Sequence, residues 1–438
     1  MHTLCFSVTD FPSETIKRKD QFNHVDINEV LLSERGFVYD LIVVGGGPSG
    51  SMCAREAAAQ GLDVLLLEKE TLPRNKLCGG ALSARVTEVL DFEIRSVVQH
   101  EIHCAVVHAP SGRKVTIMRD DTRGYLIKRS EFDSLLLDKA RSAGAEVADG
   151  AKVIAVDQLK KGVRVLTPGD SYGGRLLVGA DGVNSTIGRS VGLVEGWPAD
   201  RVALCIALDV PLPADEIQRI MTPEDSSSHV AIEIYPWIMP HGYAWCFPKQ
   251  DEISLGIGYT LKYGVLNIRD AWKEFVETFE REKRVDLGIN RIQAHRVPLA
   301  KFDRQLTTRR TMLVGDAAGL ASPVTGEGIY YAIRSGIIAG QVASEVVSNR
   351  DYRILRDYEE RVKREFKTEF SAANCVSNVV YKSYRNVELI CELAEQDPIM
   401  QDLMIDLALG TRSISKIRLD ITKRMITRYP LKALKLLR

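Results

Sequence analysis

The chain has 438 residues, 45% of them apolar and 26% charged, with a formal net charge of zero. That length suits two or three domains of an ordinary globular protein, and the balanced charge leaves no electrostatic footprint for nucleic acid. No apolar run approaches the ~20 residues of a spanning helix, no basic start leads into an apolar signal segment, and the eight cysteines are scattered without a C-x-x-C pair, which points to a reduced, cytoplasmic setting.

Residues 1–37 mix polar and apolar residues without clear period, as in a loosely ordered extension with room for a short helix around Asn28 to Leu32. From Tyr39 the pattern sharpens. Tyr39 to Val44 reads as a buried strand, Gly45-Gly46-Gly47-Pro48-Ser49-Gly50 as a turn, Ser51 to Gln60 as a helix closed by Gly61, and Asp63 to Leu67 as a second buried strand ended by Glu68. Strand, glycine turn, helix, strand and acid, in that order, make a dinucleotide site. Gly45 permits the tight turn, Gly47 lets a pyrophosphate approach the backbone, and Gly50 lets the helix lie close to the sheet. The free N–H groups at the helix start attract phosphate, and Glu68 can accept both ribose hydroxyls.

Pro73 to Ser83 reads as a loop followed by a helix capped near Ser83. Its Lys76-Leu77-Cys78-Gly79-Gly80 stretch is either a flexible surface turn or a backbone that passes close to a flat ligand with a thiol facing it. His100, His103, Cys104 and His108 could tempt a metal reading, but they alternate with apolar residues as one strand does, which splits them between two faces; no metal site is expected. Ser130 is placed to cap a helix with Phe132, Leu135, Leu136 and Ala140 on its apolar face, and Arg129 at its start is a solvated cation or a phosphate ligand. A hairpin around Lys160-Lys161-Gly162 follows, then a strand from Leu176 that ends in Asp181-Gly182, a turn able to hold a ribose or pyrophosphate.

Between about 200 and 300 strands alternate with turns, and an amphipathic helix runs near Asp270 to Arg284. Alternation puts Tyr243, Trp245 and Phe247 on one strand face, as an aromatic core stripe or as the apolar wall of a ligand site. Thr311 to Val314 is a further strand ending in Gly315-Asp316, and Gly326-Glu327-Gly328 opens a helix from Ile329 to Val347, a setting suited to an anionic group such as a phosphate or the edge of a reduced flavin. Residues 351–438 read as helices. Arg412 to Arg438 is basic with Asp420 as its only acid, and Ile414, Ile417, Ile421 and Met425 share a face. That segment is either a docked helix with a solvated basic face or a helix lying on a membrane surface.

Gly45-x-Gly47-x-x-Gly50 with Glu68, the Asp181-Gly182 turn and Gly315-Asp316 together resemble the flavoprotein superfamily of p-hydroxybenzoate hydroxylase over about residues 38–350. Two local signatures, Lys76-Leu77-Cys78-Gly79-Gly80 and Tyr243-x-Trp245-x-Phe247-Pro248-x7-Gly256-x-Gly258, are similar to those of the geranylgeranyl reductase family within it. The N-terminal extension departs from that family, whose members usually start near the first strand.

The resemblance implies an α/β fold: a Rossmann-like FAD-binding domain (38–95, 119–195 and 308–350), an inserted antiparallel β-sheet substrate domain (96–118 and 196–307) and a C-terminal helical region (351–438). It implies FAD held by Gly45, Gly47, Pro48, Ser49, Gly50, Glu68, Lys69, Arg74, Cys78, Gly79, Gly80, Arg129, Asp181, Gly182, Gly315, Asp316, Gly326, Glu327 and Gly328. Glu68 would bind the adenosine ribose, Asp316 the ribityl chain or pyrophosphate, and Arg129 would lie along the cofactor. A polyprenyl lipid or diphosphate would be the substrate, lined by Tyr243, Trp245, Phe247, Pro248, Gly256 and Gly258, with Cys78 at the flavin face positioning the alkene or relaying a proton.

The implied reaction is saturation of isolated C=C bonds, with NAD(P)H or reduced ferredoxin as electron donor. A monooxygenase of an aromatic or quinone substrate and a non-catalytic flavin- or lipid-binding module are the alternatives on the same fold. A cytoplasmic protein, peripheral at the inner face of the membrane through its basic C-terminal helix, is the corresponding location.

Overall fold

The computed structural model describes residues 38–437 apart from 225, 227, 228 and 290. The expected extension, with its helix near Asn28, lies outside them.

Buried apolar strands build the first sheet. Val38–Val44 pairs in parallel with Val64–Leu67, which pairs in parallel with Glu146–Ala148. On the other side lies Ser171–Gly179, flanked by the antiparallel Val163–Leu166 and Ala155–Gln158 strands and, in parallel, by Thr311–Leu313. The helices Pro48–Ala59 and Ile329–Asn349 pack on one another with backbones close together. Two glycines one turn apart permit this: a Cβ at Gly336 would fall 2.2 Å from the Ser49 carbonyl oxygen, and one at Gly340 2.7 Å from Glu56 Cβ.

The second sheet runs Gln293–Pro298, Val202–Pro211, Glu252–Thr260, Gly242–Pro248, Ile232–Tyr235, Cys104–His108, Lys114–Met118. It is antiparallel except for the pair Ile232–Tyr235 with Cys104–His108. One face packs Leu255, Ile257 and Tyr259 against Trp272, Phe275 and Phe279 of the Ile268–Lys283 helix. By the two-residue period of a strand, Tyr243, Trp245 and Phe247 point the other way. A small third sheet joins Ala81–Ser83, Gly124–Ile127 and Val98–Ile102.

Three local expectations are corrected. Ser83 ends a strand, and the helix after it is only Arg85–Val89 with Ala84 as its N-cap; the Ser83 hydroxyl accepts from the Arg85 amide at 3.2 Å and donates to the Gly410 carbonyl. Ser130 lies inside the Arg129–Ser142 helix, whose N-cap is Lys128 without a side-chain hydrogen bond. His100 and His108 are not on one strand: Val98–Ile102 and Cys104–His108 belong to different sheets, and His108 meets Glu233 at 3.0 Å instead.

The C-terminal part is helical: Leu355–Val380, Tyr384–Gln396, Pro398–Leu409, Ile414–Arg428 and Pro430–Leu437. Ile417 and Met425 of the fourth pack with Leu389, Leu393, Met400 and Leu403 of the second and third. No helix among the described residues is long and apolar enough to cross a membrane.

Candidate functional site

The Gly45–Gly47 turn delivers the chain from strand to helix under close steric limits. Gly45 has φ +109°, and a Cβ there would sit 2.3 Å from the Ala180 carbonyl oxygen; one at Gly50 would sit 1.8 Å from that of Gly45. At Gly47 the same construction meets only Arg74 Nη2 at 3.8 Å, so this face of the backbone is open. Gly47 is the N-cap of the Pro48–Ala59 helix and no side chain caps it, which leaves the first N–H groups and the positive end of the helix dipole for an anion.

Glu68 is buried beside this turn. Its Oε2 accepts from Gly46 N–H at 2.6 Å and its Oε1 from Glu70 N–H at 3.1 Å, which fixes the carboxylate and leaves lone pairs for further donors. Arg74 Nε lies 3.6 Å from Glu68 and its Nη1 3.1 Å from Asp133. Asp133, fully buried, also takes a two-pronged pair of bonds from Arg129 at 2.8 and 2.7 Å. Burial works against the Arg129 charge, but the facing Asp133 carboxylate outweighs it and keeps the guanidinium protonated. The Cys78 thiol is a second neighbour of Arg129. Asp133 gave no signal in the sequence beyond its place four residues after Arg129 on one helix face.

Asp181 and Asp316 part company. Asp181 turns inward, accepting from the Ser185 hydroxyl and the amides of Thr186 and Ile187 at 2.5, 2.6 and 3.0 Å, so its carboxylate serves the Thr186–Ser190 helix start. Gly182, at φ +79° with open space where a Cβ would go, is the member of that turn facing the cleft. Asp316 does face the cleft, 3.9 Å from Lys76 Nζ. Burial and the Arg129 charge lower the Lys76 pKa, against the pull of Asp316. Gly315, at φ +55°, faces Ser49, where a Cβ would sit 2.7 Å from the hydroxyl. Lys69 also stands apart from the other expected cofactor residues: its ammonium is largely exposed and lies 3.8 Å from Glu70.

From this polar end a cleft of about 350 Å³ continues into apolar territory. Tyr243, Trp245 and Phe247 line it from the second sheet, with ring centroids 5.8 and 6.3 Å apart in succession. Gly79 passes directly beneath them, where a Cβ would lie 2.9 Å from the Phe247 ring and 3.0 Å from Trp245 Nε1. Tyr243 donates its hydroxyl to the Thr325 carbonyl, which ties the aromatic strand to the Gly326-Glu327-Gly328 turn. Cys78, Gly80, Gly258 and Gly328 also line the cleft, whereas Gly256 and Pro248 stand behind the aromatic wall.

Sequence reasoning missed the far wall. Val387, Ile390, Met404, Leu407 and Leu409, from the Tyr384–Gln396 and Pro398–Leu409 helices, close the apolar end. In the sequence they read only as parts of helices, with nothing to say what they pack against. His295 was also missed; it lines the cleft, its Nε2 is buried without a partner among the described residues, and burial, then the Lys76 charge, lowers its pKa.

A long, flat, anionic nucleotide fits the polar end: an open helix N-terminus at Gly47, a fixed carboxylate at Glu68, cations at Arg74 and Lys76, and exposed backbone at Gly182. Residues 38–368 match the family model described as FAD binding domain. The chain is 30% identical over 352 residues to the digeranylgeranylglycerophospholipid reductase of Methanocaldococcus jannaschii, across 76% of this chain and 84% of that protein. It is 30% identical over 345 residues to the enzyme of the same name from Thermoplasma acidophilum, across 75% and 84%. The crystal structure of a geranylgeranyl bacteriochlorophyll reductase-like protein from Thermoplasma acidophilum superposes with a TM-score of 0.75 at 26% identity, covering 91% of this chain and 98% of that one.

Proposed function

The chain belongs to the geranylgeranyl reductase family of FAD-binding oxidoreductases, and from that premise we propose that it saturates isolated C=C bonds of a polyprenyl lipid or diphosphate. The observation that carries this reading is one continuous cleft, lined by open backbone and polar groups around Gly47 and by apolar side chains between Trp245 and Leu409. Bound reduced FAD supplies the hydride.

The chain's own residues bind, align and exclude water. The amides at the start of the Pro48–Ala59 helix and the Arg74 guanidinium hold the pyrophosphate, and Glu68 takes the ribose hydroxyls. Asp316, with Lys76 beside it, serves the ribityl side. Arg129 acts from below, anchoring Asp133 and flanking Cys78. An unconjugated alkene carries no carbonyl to spread charge, so fixed geometry and a dry cavity must supply much of the rate. Tyr243, Trp245 and Phe247 give the chain a rigid wall, and Cys78 lies where it can position the alkene. In this reading residues 38–95, 119–195 and 308–350 hold the cofactor, and 96–118 and 196–307 the substrate, with the C-terminal helices closing the cavity.

No second glycine-rich nucleotide unit is present in the sequence, so the electron donor, NAD(P)H or reduced ferredoxin, docks transiently. Contact with an anionic bilayer is supported by the last two helices. There Leu419, Ile426, Leu431 and Leu434 are 67, 64, 75 and 56% exposed. Lys416, Arg418, Lys423, Arg428 and Lys435 stand around them, exposed and without a carboxylate partner among the described residues. Mass spectrometry of lipids from cells with and without the protein tests the function: a prenyl lipid heavier by two mass units per double bond, present only with the protein, is the expected result. Identical lipid profiles contradict it.

A further inference from the structure

We infer that Glu327 is the acid that protonates the alkene carbon opposite the one receiving the hydride; the inference rests on the reductase reading above. Saturation forms two C–H bonds from one π bond. The hydride comes from the reduced flavin, which is oxidised by two electrons, and the proton comes from an acid in the cleft whose bond to hydrogen breaks; a carboxyl O–H suits this. The carboxylate left behind regains its proton from solvent.

Two carboxyl groups line the cleft among the described residues, Asp316 and Glu327. Asp316 is already paired, with Lys76 Nζ beside it at 3.9 Å. Glu327 is placed otherwise. Its Oε1 is buried with no hydrogen-bond partner among the described residues. Its Oε2 lies against Gly410, where a Cβ would sit 2.5 Å away. Gly410 is the C-cap of the Pro398–Leu409 helix, whose carbonyl end disfavours a negative charge. The neighbouring turn is fixed to the aromatic wall through Tyr243 and Thr325, which puts this acid on the same surface as the substrate-lining rings.

The charged surroundings agree. Burial raises the Glu327 pKa first, nearby Glu369 raises it further, and Arg85 opposes, leaving it at about 8. Arg85 is engaged elsewhere, bonded to Glu369 at 2.8 Å and stacked 4.0 Å over the Tyr330 ring. Tyr331 also spends its hydroxyl on Glu369, at 2.8 Å. At neutral pH the Glu327 carboxyl is therefore protonated and able to donate; above about 8 it is not.

The test uses FAD-loaded Glu327→Gln and wild type, chemically reduced without oxygen, with a digeranylgeranyl glycerol ether in detergent micelles. Per bound FAD, flavin reduction should be equal, but saturation should be slower by roughly 100-fold in the variant. The wild-type rate should fall as pH rises through about 8, and the residual rate of the variant should lack that limb. Infrared spectra need no turnover: wild type should show a protonated-carboxyl band that disappears over the same pH range and is absent from Glu327→Gln. Glu327→Asp, which keeps the acid, should retain both band and limb. Wild-type saturation together with an unimpaired Glu327→Gln, or a wild-type protein without the band, overturns the assignment. A wild-type enzyme that saturates no prenyl lipid refutes the reductase reading instead.

Discussion

Trp245 and Gly256 are cross-strand partners, and the indole fills the space a side chain at Gly256 would need: a Cβ built there would lie 2.0 Å from Trp245 Cζ2. The same register sets Tyr243 opposite Gly258. The seven residues between Pro248 and Gly256 therefore fix the pairing that folds the indole flat against its own sheet and keeps the cleft open. Gly256→Ala should push the indole into the cleft, at a cost of about 1–3 kcal/mol from overpacking. Thermal unfolding checks it: the single variant should melt lower, and adding Trp245→Phe should restore part of the loss. A double variant no more stable than the single one would show that the indole is not what the new methyl meets.

The buried pair of cations around Asp133 is a separate stability element. Asp133→Ala leaves Arg129 and Arg74 facing each other without their shared carboxylate. Uncompensated buried charge of this kind costs about 3–5 kcal/mol. Chemical denaturation should register that loss, whereas Asp138→Ala on the exposed side of the same helix should change stability by under about 1 kcal/mol. Equal effects would remove Asp133 from this role.

Glu68→Ala should leave the fold intact and weaken FAD retention by roughly tenfold or more, the worth of a hydrogen bond to a charged group. Flavin remaining on the protein through gel filtration is the readout. Full retention would mean that Glu68 serves only the Gly46 and Glu70 amides.

Much of this architecture was legible in the sequence because local chemistry dictates it. Gly45, Gly47, Gly50 and Glu68 have no bland use that requires all four in that order. The aromatic stripe was legible as a stripe, and its two readings could not be told apart until the facing wall was known. That wall comes from residues about 140 to 165 positions later, such as Val387 and Leu409, and no periodicity encodes contact at such separation. Asp181 misled for a different reason: an acid at a strand end caps a helix as readily as it holds a ribose, and here its acceptors are taken by Thr186 and Ile187. Ser83 does accept from the Arg85 amide at the start of a short helix, but its hydroxyl also donates to the distant Gly410 carbonyl, a contact that no local pattern encodes.

The C-terminal surface predicts a salt-dependent attachment. Changing Leu419, Ile426, Leu431 and Leu434 together to Ser should spare the fold, since all four side chains are exposed. Co-sedimentation with vesicles containing phosphatidylserine should drop, and wild-type binding should weaken between low and high salt. Vesicle binding unchanged in the fourfold variant would place any membrane contact elsewhere.

The central claim is that one cleft brings a flavin and a prenyl chain together for hydride transfer. Its most direct test is the flavin spectrum of the purified, FAD-loaded protein after chemical reduction under strict exclusion of oxygen. Adding a digeranylgeranyl lipid should return the oxidised flavin absorbance, in proportion to double bonds lost. A flavin that stays reduced with the lipid and is reoxidised only when oxygen is admitted would contradict the account.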